Sequence, residues 1–177
     1  MTNSASRSGK FMLAVGLQLA IIIAIVISKL GILAGGTEVL LRIEPVDPRD
    51  LLRGDYVTFR YSISRLDSGL FEDGPAREGE TVYVVLGRSG ETWDAVRVLK
   101  RKPDAGHIFI KGKMRGPWFG RRNAGQVVYG IEQYFIPEGA GASLGWSQND
   151  RVAARVAVDE QGNAVIKGIL INGEPWP

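Results

Sequence analysis

From Phe11 to Ile27 (FMLAVGLQLAIIIAIVI) the chain runs seventeen residues without a charge. Wound as a helix, the part from Leu13 to Ile27 is apolar on every face except at Gln18, so it has no polar stripe to turn toward water. At 1.5 Å per residue the run covers roughly 25 Å, slightly short of a ~30 Å hydrocarbon core. Continuation through Ser28–Ala34 supplies the missing length, with Lys29 able to snorkel to the interface. The pattern predicts a tail over residues 1–10, a transmembrane helix over 11–34 and a separate domain over 37–177.

Beyond Gly36 the hydrophobic period shortens to two, the signature of strands. Strands are predicted at Val39–Val46, Tyr56–Ile63, Thr81–Leu86, Trp93–Leu99, His107–Met114, Val127–Ile136, Val152–Val158 and Ala164–Ile171. Turn chemistry separates them at Gly87–Gly90 and Pro103–Gly106, and Asp159–Asn163 reads as a hairpin loop. In Trp93–Leu99, Trp93, Ala95, Arg97 and Leu99 are expected to oppose Asp94, Val96 and Val98. Val152–Val158 could be a short helix capped at Asn149-Asp150, but the valine spacing favours a strand. With no helical crossovers, the domain is expected to be mainly β, an antiparallel meander or barrel-like fold.

A cleaved secretory signal has a shorter apolar stretch and small residues at its cut. Here the candidate exit Gly31-Ile32-Leu33-Ala34 places bulky Ile32 three residues before the cut, so an uncleaved anchor is expected. Arg7 and Lys10 precede the span with no acid before Glu38, which puts the tail in the cytoplasm and the domain outside it. Lys29 narrows that asymmetry.

Charge and composition then restrict the chemistry. Of 22 basic residues, three (Arg7, Lys10, Lys29) belong to the tail and span, leaving 19 against 19 acids in the domain. A neutral domain argues against nucleic acid. Its charge is unevenly spread. Residues 97–122 hold nine basic residues and one acid, a balance of +8, while residues 37–96 stand at −5 and residues 123–177 at −3. Neutralisation inside the domain is the favoured reading, with a surface for lipid or a partner as the alternative. With no cysteine and the single His107, no disulfide, thiolate or multi-histidine metal centre is expected. No cofactor is expected either. His107, beside the Gly106 turn, is expected to be an exposed loop residue.

Between the first two strands lies Pro45-Val46-Asp47-Pro48-Arg49-Asp50-Leu51-Leu52-Arg53, leading into Gly54-Asp55-Tyr56-Val57-Thr58-Phe59-Arg60-Tyr61. Val57, Phe59 and Tyr61 share one strand face, and Tyr56, Thr58 and Arg60 the other. One of the two tyrosines is therefore expected to face inward while the other sits with Arg60. This Gly-Asp-Tyr-x-x-Phe-x-Tyr stretch resembles the signature of the bacterial GDYxxLxY family, with Phe59 at the leucine place. A later stretch, Tyr129-Gly130-Ile131-Glu132-Gln133-Tyr134-Phe135-Ile136-Pro137-Glu138-Gly139, is similar to that family's second element. The terminal hairpin (Gly162-Asn163-Ala164 to Ile171-Asn172-Gly173) agrees as well. The resemblance implies a protein of the bacterial cytoplasmic (inner) membrane, without established activity, that accompanies a multi-pass membrane protein.

Two groups of residues are candidates for contact with something else. Asp55, Tyr56, Arg60 and Glu138 could form a polar pocket, although an aspartate at such a bend more commonly accepts backbone N–H groups and pairs with an arginine. Arg115, Trp118, Phe119, Arg121 and Arg122 combine rings and guanidiniums as an interface-seeking loop does, toward lipid or a partner. The bland alternative is a hairpin loop folded over the core edge. Tyr134 and Phe135 read as packed residues.

An enzyme is the weaker reading. Leu51-x-x-Gly54-Asp55-x-Val57 looks like the cleft loop of membrane-bound signal peptidases, whose nucleophilic serine falls at Val46 here and whose proline falls at Arg49. Valine has no nucleophilic atom, and Lys111 or Lys113 would have no serine to activate. The alternative is thus a catalytically inactive relative of that fold. The expected role is an anchored binding or assembly subunit.

Overall fold

The computed structural model describes residues 4–44, 56–115, 124–135 and 150–176. Helix α1 (Ser4–Gly35) contains a stretch, Gly9–Gly35, long enough to cross a bilayer, whose most apolar window has a mean hydropathy of 2.7. Its large apolar side chains stand exposed from Phe11 to Leu30, and burial begins only at Ile32.

One residue, Gly36, separates α1 from β1 (Thr37–Glu44). Its amide donates to the Ile32 carbonyl at 2.9 Å. A Cβ at Gly36 would lie 2.6 Å from that oxygen and 3.0 Å from the Val158 nitrogen, distances no side chain tolerates. Because both neighbours are backbone, helix and strand can meet this closely only at glycine. The last turn of α1 therefore rests on the domain, with Ile32 buried.

The domain is built from two five-stranded sheets, and every strand pairing is antiparallel. The first has the order β12 (Glu174–Trp176), β11 (Ala164–Ile171), β10 (Val152–Val158), β1 and β3 (Arg60–Tyr61). The second has the order β4 (Arg65–Asp67), β8 (Ala124–Val128), β7 (Phe109–Arg115), β5 (Thr81–Ser89) and β6 (Thr92–Leu99). A two-stranded ribbon, β2 (Tyr56–Thr58) with β9 (Gln133–Phe135), joins them at one end. The mainly β antiparallel expectation holds, and Val152–Val158 is a strand.

The core follows from alternation. Val39, Leu41 and Ile43 on β1 and Val152, Ala154, Val156 and Val158 on β10 face inward, meeting Val82, Val84, Ile110, Met114 and Val127 from the other sheet. Bulges interrupt the period. In β6, Val96 has no partner across from β5, because Val85 faces Arg97 and Leu86 faces Ala95. The expected alternation of Trp93, Ala95, Arg97 and Leu99 against Asp94, Val96 and Val98 therefore fails. Trp93 and Ala95 share the main core with Val98, while Val96 is 47% exposed. Glycine at position 87 makes room, since a Cβ there would fall 2.6 Å from Val96. A similar slip leaves Lys167 of β11 unpaired, so Ala164 and Ile169, an odd number apart, both face inward.

Several boundaries differ from the sequence reading. The strand expected at Tyr56–Ile63 changes partners midway, pairing with β9 through Thr58 and with β1 from Arg60, and ends in a 3-10 turn at Ser62–Ser64. That expected at Val127–Ile136 is two strands parted by a turn at Gly130. β5 continues through Gly87 to Ser89, so the tight turn moves to Gly90. β4 and β12 were not anticipated, because three-residue strands carry too few alternations to register.

β1 gives the domain two ends. Thr37 and its partner Val158 lie at the end joined to α1, and Glu44 lies roughly 23 Å away along the strand. The Asp159–Asn163 loop, a hairpin as expected, reaches across to the second sheet there. The Lys111 amide donates to the Gly162 carbonyl at 2.8 Å, and Lys111 Nζ to Asn163 Oδ1 at 2.8 Å.

Candidate functional site

At the end of β1 away from α1, the two motif stretches become one unit. Tyr56, Val57 and Thr58 pair with Phe135, Tyr134 and Gln133, and the Phe59 amide then donates to the Glu132 carbonyl. Phe59 is buried, its ring centroid 6.4 Å from that of Tyr134, which in turn lies 6.5 Å from Trp176. Phe135 is 77% exposed, contrary to its packed reading, because β9 alternates and only Tyr134 turns inward.

Two tyrosines cross-link the unit. Tyr61, fully buried, donates its hydroxyl to the Ile131 carbonyl at 2.5 Å. Tyr129 returns the arrangement, donating to the Ile63 carbonyl at 2.5 Å. Each phenol thus satisfies a carbonyl of the segment that carries the other, across sequence separations of 70 and 66 residues. Burial raises both phenol pKa values far above the ordinary tyrosine range, and the nearby Glu132 carboxylate raises them further. Glu132 itself accepts from the amides of Tyr129 (2.5 Å) and Gly130 (2.9 Å), fixing the turn between β8 and β9. The inward tyrosine of the motif is Tyr61, and its role here is structural.

Beside this unit lies a cavity of about 390 Å³, lined by Arg60, Arg115, Gln126, Gln133, Thr58 and Glu132 among others. Arg60 comes from β3 of one sheet and Arg115 from β7 of the other. Neither makes an ion pair or hydrogen bond with any described residue. The sequence had assigned these arginines to separate groups, and the fold brings them to one cleft. Asp55, Glu138, Trp118, Phe119, Arg121 and Arg122 lie outside the described residues, and Tyr56 is described only as a strand position. Gln126 and Glu132 escaped the sequence reading. An acid two residues after a turn glycine was the available signal for Glu132.

The basic stretch is partly neutralised inside the domain. Arg97 lies 3.5 Å from Glu72, and Lys100 reaches Glu80 at 3.9 Å while its amide donates to Asp73 at 2.9 Å. These pairs are exposed enough to contribute little to stability. His107 is exposed, as expected. Among the described residues no group of three or more metal-ligating side chains gathers.

A family model described as GDYXXLXY protein matches residues 18–169, from within the helix into β11. No curated protein and no solved structure matches the chain.

Proposed function

The chain belongs to the GDYXXLXY protein family, and from that premise we infer that it is a single-pass, membrane-anchored subunit that binds or assembles a multi-pass membrane protein. Arg7 and Lys10 before the span favour a cytoplasmic tail and a domain outside the cytoplasmic membrane. The close, one-residue passage from α1 into β1 supports a subunit that presents its far end at a fixed height. A flexible tether would not do this.

The observation that carries the reading is the cleft at that far end. Two arginines from different sheets line it with no ion pair or hydrogen bond to any described residue, together with the amides Gln126 and Gln133. Such a set suits an acidic, hydrogen-bonding segment of another protein. The stretch carrying Trp118, Phe119, Arg121 and Arg122 joins β7 at Arg115 and β8 at Ala124, on this same end.

A photocrosslinking residue at Gln133 tests this in intact cells. It should give one discrete adduct that is lost in an Arg60→Ala, Arg115→Ala double variant, while the same residue at Lys167 gives none. Equal labelling from both positions, or adducts indifferent to the arginines, removes the cleft from the account. Protease added to spheroplasts should digest the domain. A protected domain reverses the orientation.

A further inference from the structure

A second cavity, of about 350 Å³, lies where α1 meets the domain. Its helical wall is formed by Gly31 and Gly35, one turn apart, and its other side by His107 and the loop residues Asp159, Glu160 and Gln161. A Cβ at Gly31 or Gly35 would meet nothing within 4 Å, so both glycines face open space.

The depth of this cavity follows from the helix. Exposed apolar side chains run from Phe11 to Leu30, a rise of about 30 Å that matches the hydrocarbon core of a bilayer. Gly31 to Thr37 then fall in the headgroup layer, roughly 5–8 Å thick on each side. A polar hollow at that level opens onto phospholipid headgroups.

Its chemistry is also defined. Asp159 is fully used within its loop, accepting from the amides of Gln161 (2.9 Å) and Asn163 (2.7 Å) and from the Asn163 side chain (2.7 Å). Glu160 is exposed and makes no ion pair or hydrogen bond with any described residue. His107 Nε2 lies 3.3 Å from an Arg97 guanidinium nitrogen. Arginine only donates, so Nε2 accepts and Nδ1 carries the ring proton. Glu160, a carboxylate, and His107, Gln161 and Thr37, which carry hydrogen-bond donors, therefore line the same cavity.

We propose that this cavity seats the zwitterionic headgroup of a primary-amine phospholipid of the phosphoethanolamine class. Glu160 receives the ammonium, and the donors of His107, Gln161 and Thr37 face the phosphate. A headgroup with no amine would set its negative charge beside two carboxylates. A trimethylated amine would present no N–H to Glu160. The proposal rests on the anchored reading above.

Gly31→Leu extends a side chain into the hollow from the helix side, where a Cβ has open space, and Glu160→Gln removes a carboxylate with no ion pair or hydrogen bond to any described residue. Both variants should fold, which a thermal melt of the domain verifies. The full chain is placed in nanodiscs of equal phosphatidylethanolamine, phosphatidylcholine and phosphatidylglycerol, and the lipid retained after gentle release is identified by native mass spectrometry. Wild type should keep one phosphatidylethanolamine in at least tenfold preference, and each variant should lose that preference. Equal retention of the three lipids, or a preference unchanged by Gly31→Leu, overturns the proposal. So does binding of free O-phosphoethanolamine without retention of the lipid, and so does a loss of partner crosslinks in Gly31→Leu with lipid retention intact. Carbonate extraction separates this from the anchored reading: a chain that stays embedded yet shows no lipid preference refutes the cavity alone.

Discussion

Where α1 enters the domain, main chain lies against main chain: Gly36 has no room for a Cβ between the Ile32 oxygen and the Val158 backbone, and Ile32 is the one buried residue among the described residues of α1. At the far end of β1 the contacts are large side chains, with Phe59 against Tyr134 and two buried phenols each holding a distant carbonyl. The first arrangement fixes an angle between two elements. The second fixes which segments of the chain are neighbours. The described part of the family signature lies at the second end, and topology explains two of its aromatic positions: Phe59 packs against Tyr134, and Tyr61 ties the motif strand to the turn that carries Glu132. The cleft beside it is lined by Arg60 and Arg115, neither of which is a letter of the motif.

That contrast can be broken most severely at Tyr61. Tyr61→Ala should cost about 3–5 kcal/mol through the lost ring and the cavity left behind, read as a lower urea midpoint. Helix and domain should keep their relative angle in any molecule that remains folded. A loss below ~1 kcal/mol would mean that the cross-link is not what holds the two motif segments together.

Alkaline pH probes the same end without a mutation. Below pH 10 both phenols are protonated in the folded and the unfolded chain. Above it the unfolded chain releases protons that the folded one keeps, because both folded pKa values are raised. The unfolded state then binds fewer protons, so stability falls as pH rises, by about 1.4 kcal/mol per pH unit for each tyrosine. Tyr61→Phe should halve that slope, and an unchanged slope would assign the effect to other groups.

Gly36→Leu acts on the opposite end and should cost less, about 1–3 kcal/mol from overpacking. Its larger signature is geometric. The chain has no cysteine, so spin labels can be placed singly in α1 and at Lys113 without background. The distance between them should be narrow in the wild type and broadened in the variant, with the urea midpoint of the domain moved only slightly. A wild-type distribution as broad as the variant's would make the helix a tether.

The aromatic and charged residues differ in how far they could be read from sequence. Phe59 and Tyr61 were placed on one face because a strand alternates, and that local rule held through the switch from β9 to β1. Val96 was placed wrongly because a bulge depends on the partner strand and on the absence of a side chain at Gly87. Arg60 and Arg115 were assigned apart because nothing local links residues 55 positions distant.

By itself the amino-acid order determined the membrane-length helix, the mainly β domain and the family, since each depends on apolar periodicity or on consecutive residue identity. Tertiary structure alone decided that the two motif stretches form one tyrosine-linked unit, that two arginines share a cleft, and that Gly31 and Gly35 border a polar hollow where α1 meets the domain. These are distances between residues far apart in the chain, and they are set by sheet register and close packing, which local sequence does not encode.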